Sequence, residues 1–95
     1  MNTPVNMEAY VLLDDGTMVK ETFYKMIFQQ IDEVLPALIP GVKYTAENLC
    51  GEEFWNQLKE QRKLAGKCVA HMASTGKLPL HIQGCEHQYP RRYMI

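Results

Sequence analysis

The side chains best suited to intermolecular contact are basic and hydrogen-bonding groups in the second half of the sequence. Residues 45–95 carry seven lysines and arginines against five carboxylates, a net charge of +2. Residues 1–44 carry three lysines against six carboxylates, a net charge of −3. Lysine and arginine pair with phosphate oxygens, and arginine and glutamine also bond to base edges. The charge distribution therefore points to residues 45–95 for any contact with a polyanion, although an excess of two charges is modest for a DNA-binding domain.

Cysteine and histidine are the residues that could bind zinc or form a catalytic pair. His81, Cys85 and His87 lie within seven residues, and Cys68 and His71 are three apart on a predicted helix. No paired C-x-x-C framework accompanies them, and a thiol nucleophile would also need an oriented base. No glycine-rich phosphate loop, nucleotide fingerprint or serine elbow is present. We therefore expect a protein that is not an enzyme and that binds no metal and no cofactor.

Length and composition predict one small domain over residues 1–95. The chain has 95 residues, 46% of them hydrophobic, which is enough for a single compact core. Its apolar runs are far shorter than the ~18 residues of a membrane span, and the first residues lack the basic region of a signal peptide. Three widely spaced cysteines indicate reduced thiols rather than a disulfide framework. We expect a soluble, cytoplasmic protein with no membrane contact.

The acidic half predicts an arm, a hairpin and a helix. Residues 1–7 show no periodicity and are expected to form a flexible arm, whereas residues 8–20 contain two β-prone runs separated by a turn at residues 14–16. The alternative is that only the first of these strands forms. From Thr22 the apolar period changes to three and four, which predicts an amphipathic helix that ends or kinks between Pro36 and Pro40. Its apolar face is wide enough for core packing or, as the alternative, for a second subunit.

The basic half predicts two further helical segments and a hairpin, so that residues 22–74 form the helical core and residues 76–95 a C-terminal hairpin. Thr45 is a candidate N-cap, Gly51 divides the first segment, and Trp55 is expected to anchor the core rather than to stack on a base. The last helix is predicted over residues 61–74, with Gly76 as its C-cap. Its inward line is expected to be Leu64, Cys68 with Val69, and Met72. Its outward, polar line is expected to be Lys63, Lys67, Ala70 beside His71, and Ser74.

Five short segments of this half resemble a known pattern. They are Tyr44-Thr45-Ala46-Glu47-Asn48-Leu49, Gly51 with Phe54-Trp55, Leu64-Ala65-Gly66-Lys67-Cys68-Val69, Gly76-Lys77-Leu78-Pro79-Leu80 and Tyr89-Pro90-Arg91-Arg92-Tyr93. These segments resemble small prokaryotic and phage winged-helix (helix-turn-helix) proteins over about the C-terminal half. The fold class expected is thus mainly α with small β (α+β), a three-helix core with a C-terminal β-hairpin wing and a short N-terminal hairpin. The resemblance implies that residues 61–74 occupy the recognition position and residues 80–92 the wing.

The expected function is a small DNA-binding module, such as a transcriptional regulator or a mobile-element accessory factor. Double-stranded DNA would be the partner, and the protein would act as a homodimer because one recognition helix buries too little surface for specific affinity. The DNA-binding residues predicted from charge and reach are Gln61, Arg62, Lys63, Lys67, Ser74, Lys77, Arg91 and Arg92. Two alternatives stay open: a solvated, mixed-charge helix face, and a winged-helix adaptor that docks protein without nucleic acid.

Overall fold

The computed structural model of the protein describes residues 9–83 and 91–95. In these ranges the first half forms β1 (Tyr10–Leu12), β2 (Met18–Lys20) and α1 (Glu21–Val34). The second half forms α2 (Ala46–Cys50), α3 (Glu52–Leu58), α4 (Arg62–Ser74), β3 (His81–Gln83) and β4 (Arg92–Met94). The predicted α+β class is confirmed. None of the helices in the described ranges has the length and apolar character needed to cross a bilayer.

The first hairpin forms as predicted, with β1 antiparallel to β2 and Val11 opposite Val19. At its turn the backbone amide of Thr17 donates to Asp15 Oδ1 at 3.0 Å, and Gly16 takes a φ of +88°, which a residue with a side chain rarely adopts. The alternative with a single strand is therefore wrong. The predicted arm, residues 1–7, lies outside the described residues.

Helix α1 is the element on which the others pack. It contacts both strands of the first hairpin as well as α2 and α4. Tyr24, Ile27 and Ile31 are buried on one face, as their spacing of three and four predicts, and Phe23 and Phe28 are partly buried beside them. The wide apolar face of α1 is thus used within the core. The helix ends at Val34, and a 3-10 turn at Leu35–Ala37 accommodates the proline.

The connector between α1 and α2 does more than link two helices. Tyr44 exchanges two backbone hydrogen bonds of 2.8 Å with Tyr93 of β4, so this single residue adds an antiparallel bridge to the C-terminal hairpin. Directly afterwards Thr45 caps α2, as predicted: its hydroxyl accepts from the Asn48 amide while Asn48 Oδ1 accepts from the Thr45 amide. The start of α2 and the last strand are therefore fixed together.

Helix α4 fills the centre of the fold. Cys68, Val69 and Met72 on the predicted inward line are buried, while Leu64 is partly buried. After Gly76, the amides of Lys77 and Leu78 both donate to the Met72 carbonyl, which turns the chain back on α4. The first strand of the C-terminal hairpin, predicted over residues 76–95, begins only at His81, because the amide of Leu80 bonds to the Leu78 carbonyl in a tight turn. Leu78 and Leu80 are both buried in that turn.

Candidate nucleic-acid interface

The predicted outward line of α4 is covered by the N-terminal hairpin. Lys67 Nζ lies 3.0 Å from Asp15 Oδ2 and 3.4 Å from Thr17 Oγ1. Two turns further on, Ser74 Oγ donates to Asp14 Oδ2 at 2.7 Å. Ala70, between these two contacts, is buried. The expectation that this line faces solvent is therefore wrong at Ala70, whereas Lys67 and Ser74 keep contact with solvent but are engaged by the acidic turn of the hairpin.

Histidine and tyrosine side chains connect the same helix to α1. Tyr24 Oη and His71 Nδ1 are 2.7 Å apart, and the two rings meet edge to face. Burial raises the pKa of Tyr24 to about 12, so its hydroxyl stays protonated at neutral pH. The carbonyl of His71 in turn accepts from the hydroxyl of Thr75 at 2.7 Å. His71 thus serves the packing of α4 and α1 rather than a solvent-facing polar line.

Asp15 is the most strongly perturbed carboxylate of this contact. Hydrogen bonds from the Thr17 hydroxyl and amide hold its pKa well below the usual range, and Lys67 lowers it further. Since the side chains of Lys67 and Asp15 are 40% and 49% exposed, solvent screens the pair. The contact orients the hairpin against α4 while contributing modestly to stability.

A pH titration checks this contact. Asp15 has a lower pKa in the folded than in the unfolded protein, so its contribution to stability is present above the unfolded pKa of ~3.9 and is lost as pH falls through the folded pKa. We expect Asp15→Asn to lower the melting temperature at neutral pH, and the gap from wild type to narrow as pH falls below about 4. Asp32→Asn, at an exposed carboxylate of α1, is the control and should melt close to wild type. A gap for Asp15→Asn that is constant from pH 7 to pH 2 would contradict the assignment.

Arg62 has a structural partner at the end of α3. Its Nε donates to the Trp55 carbonyl at 3.0 Å, and one terminal nitrogen lies 3.3 Å from Asn56 Oδ1 and 3.4 Å from the Asn56 carbonyl. A cation at this position satisfies carbonyls that a helix leaves unpaired at its C-terminal end. Trp55 itself is partly buried against the core, as expected. A phosphate could bind Arg62 only by sharing or replacing these contacts.

The remaining predicted residues divide into two groups. Gln61, Lys63, Arg91 and Arg92 are exposed, the first two around the start of α4 and the others at β4. Lys77 is exposed as well and lines a shallow cleft with Val11, Tyr24 and Phe28, beside β1 and α1. Arg92 stands opposite Gln83 in the hairpin. The next residue, Tyr93, is buried and fixes the strand in the core.

Sequence reasoning missed Asp14, Asp15 and Thr17 as partners of α4. A signal for them exists in the charge distribution, since an acidic first half and a basic second half favour pairing within the chain. That signal says nothing about which carboxylate meets which cation. The contacts span about 50 to 60 residues of sequence, beyond the reach of local patterns.

The cysteines of the described residues are poor nucleophiles. Cys50 and Cys68 are buried free thiols, and burial raises their pKa to about 12 and about 11, so both stay protonated at neutral pH. Within residues 9–83 and 91–95, no three metal-binding side chains come together. Cys85 and His87, which the sequence grouped with His81, lie outside the described residues.

Lys63 at the start of α4 and Arg91 and Arg92 at β4 are cations of the predicted site that stay exposed. They are carried by a helix and a hairpin that are both anchored in the core, through Met72 and Tyr93 respectively. No family model matches the chain, and neither a curated protein nor a solved structure shows significant similarity to it.

Proposed function

We propose that this protein is a winged-helix module that binds duplex DNA through the start of α4 and the β3–β4 hairpin. The observation that carries the proposal is the bridge between Tyr44 and Tyr93. It ties the α1–α2 connector to the last strand, so the hairpin is fixed against the helices in the way that a wing requires. The element order after residue 44, in which α2, α3 and α4 are followed by a hairpin, supports the same arrangement.

The positions of the exposed cations favour a contact at one end of α4. The chain turns back at Met72 and β3 packs against α4, so we infer that β3 runs back along the helix towards its first turn. Arg92, opposite Gln83 at the end of β3, then comes towards the end of α4 that carries Lys63. Two separate elements would in this way present cations to one phosphate backbone.

The covered face of α4 determines what kind of binding this is. With Lys67 and Ser74 held by the hairpin turn, α4 has no long polar face with which to read base edges along a major groove. Lys63 near the start of α4 and Arg92 in β4 remain for phosphate contacts. Such contacts orient a protein on DNA but carry no direct sequence information. We therefore expect binding that depends steeply on salt and discriminates weakly between sequences.

A fluorescence-anisotropy titration with a short duplex tests the proposal. We expect wild type to bind at low salt and affinity to fall as salt rises, and we expect Lys63→Ala with Arg92→Ala to reduce the slope of log K against log salt by about 2, one for each lost phosphate contact. Lys43→Ala, at an exposed lysine of the α1–α2 connector, is the matched control and should retain the wild-type slope. Absence of binding at micromolar protein, or an equal loss in the control, would overturn the proposal.

A protein-docking module is the second candidate. It is favoured by one specific observation, the neutralisation of Lys67 by Asp15, which removes a cation from the helix that would otherwise read DNA. A protein of this class would show no binding in the same titration at any salt concentration.

A further inference from the structure

The outer face of the N-terminal hairpin is apolar and exposed. It consists of Tyr10, Leu12 and Met18, which are 51%, 62% and 60% exposed. Val19 and Leu13 point the opposite way and are buried against the core. The alternation is that of a two-sided sheet, but its solvent side carries large apolar groups where polar ones are usual. We call these three residues the outer face.

The strand register brings the outer face together. Leu12 stands opposite Met18, and Tyr10 stands opposite Lys20. Backbone hydrogen bonds join Leu13 to Thr17 and Glu21 to Ala9. Because the two types of pair alternate along an antiparallel ladder, the pair of Leu12 and Met18 is of the type without direct hydrogen bonds, in which side chains come closest. Leu12 and Met18 therefore form one continuous apolar surface rather than two isolated exposed residues.

Charge around the outer face favours contact with a like surface. The turn of the hairpin carries Asp14 and Asp15, which would repel the same turn of another copy. Both carboxylates are held by α4, since Asp15 pairs with Lys67 and Asp14 accepts from Ser74. The positive charges of Lys20 and Lys67 equal the negative charges of these two carboxylates, so the hairpin and its contact with α4 carry no net charge. A surface that is apolar and balanced in charge is complementary to itself, whereas a charged partner would find no counter-charge on the three side chains.

We propose that the outer face is a homodimer interface, in which the hairpins of two copies pack face to face across a two-fold axis. Edge-to-edge pairing of two hairpins would extend the sheet but leave Leu12 and Met18 in water. Face-to-face packing, with sheets about 10 Å apart, buries these side chains of both copies. The proposal concerns the free protein and does not depend on DNA binding.

The size of the outer face sets the strength of the dimer. A specific interface of standard size buries about 800 Å² on each partner with roughly 20 to 30 residues, and the hairpin offers far fewer. We therefore expect a weak dimer that assembles with rising concentration. Such a dimer would place two DNA-contacting surfaces in one particle, which adds avidity without any new contact to the DNA.

Sedimentation velocity over about 1 µM to 1 mM protein, without DNA, tests the interface. We expect the wild type to shift from monomer to dimer across this range and Leu12→Glu with Met18→Glu to weaken association by about 100-fold, because the symmetric interface would bring like charges together. Ile39→Glu is the matched control, since Ile39 is 60% exposed like Met18 but lies in the α1–α2 connector. It should associate as wild type does.

Thermal melting followed by circular dichroism tests whether the variants are folded. The substituted side chains are more than half exposed, so the melting temperature should change by less than about 4 °C. A wild type that stays monomeric at 1 mM, or a control that dissociates as fully as the double variant, overturns the interface. A monomer that still binds DNA would overturn the dimer alone, and a dimer that fails to bind DNA would overturn the proposed function alone.

Discussion

Replacing Ile27 by alanine is expected to lower the free energy of unfolding by about 2 to 5 kcal/mol. Ile27 is fully buried, and it belongs to the helix on which the first hairpin, α2 and α4 all pack. Truncation removes apolar contacts and leaves a cavity that these elements cannot close without moving one another. For a domain of this size, each kcal/mol corresponds to about 4 to 8 °C in melting temperature, so the variant is expected to melt well below wild type.

Met26, the preceding residue of the same helix, provides the control. It is 40% exposed, so Met26→Ala removes groups that are already partly in water and should cost less than about 1 kcal/mol. Chemical denaturation of both variants, analysed with a common slope, gives the comparison directly. Equal losses for the two variants would mean that α1 is not oriented in the core as described.

Local signals predicted most of the elements correctly. The first hairpin follows from Gly16 between two β-prone runs, α1 from its period of three and four, and the break at Gly51 from glycine itself. The residue type and position of Thr45 predict an N-cap, and its hydroxyl accepts a hydrogen bond from the Asn48 amide. Each of these features is decided within a few residues of the chain, where side-chain chemistry and backbone preference act directly.

The accessibility of α4 could not be predicted in the same way. Its periodicity separates an apolar from a polar line, but a polar line is also compatible with a second element held by hydrogen bonds. Ala70 is buried, and with Ser74 it is a small residue on the line predicted to face solvent. Small side chains allow another element to approach closely, and this is the signal by which the covering hairpin could have been suspected.

The same difference between local and long-range information applies to the candidate site. Residue type identifies the cations as candidates for phosphate contact, but only the fold decides which of them are already engaged. Lys67 is held by Asp15 and Arg62 by the end of α3, whereas Lys63 and Arg92 are exposed. Partners about 50 residues away in sequence, as for Lys67, leave no local trace.

Adding a single methyl group at Gly51 is expected to destabilise the protein. Its φ of +92° and ψ of +141° lie in a region that residues with a side chain rarely adopt. The residue ends α2 through its amide, which donates to the Glu47 carbonyl, and begins α3 through its carbonyl, which accepts from the Trp55 amide. Gln30 of α1 fixes this joint by donating to the Cys50 carbonyl at 2.7 Å. The bend is therefore held on both sides and cannot relax freely.

We expect Gly51→Ala to destabilise the protein by about 1 to 3 kcal/mol through backbone strain, since its added Cβ meets nothing closer than Gln30 at 3.9 Å. Gly66→Ala is the matched control with the opposite sign. Gly66 lies inside α4 with no atom within 4 Å of an added Cβ, so alanine there should stabilise the helix by about 0.5 to 1 kcal/mol. Thermal and urea unfolding of the two variants measure the difference. A gain in stability for Gly51→Ala would show that α2 and α3 can straighten into one helix, and the bend would then not be a fixed part of the fold.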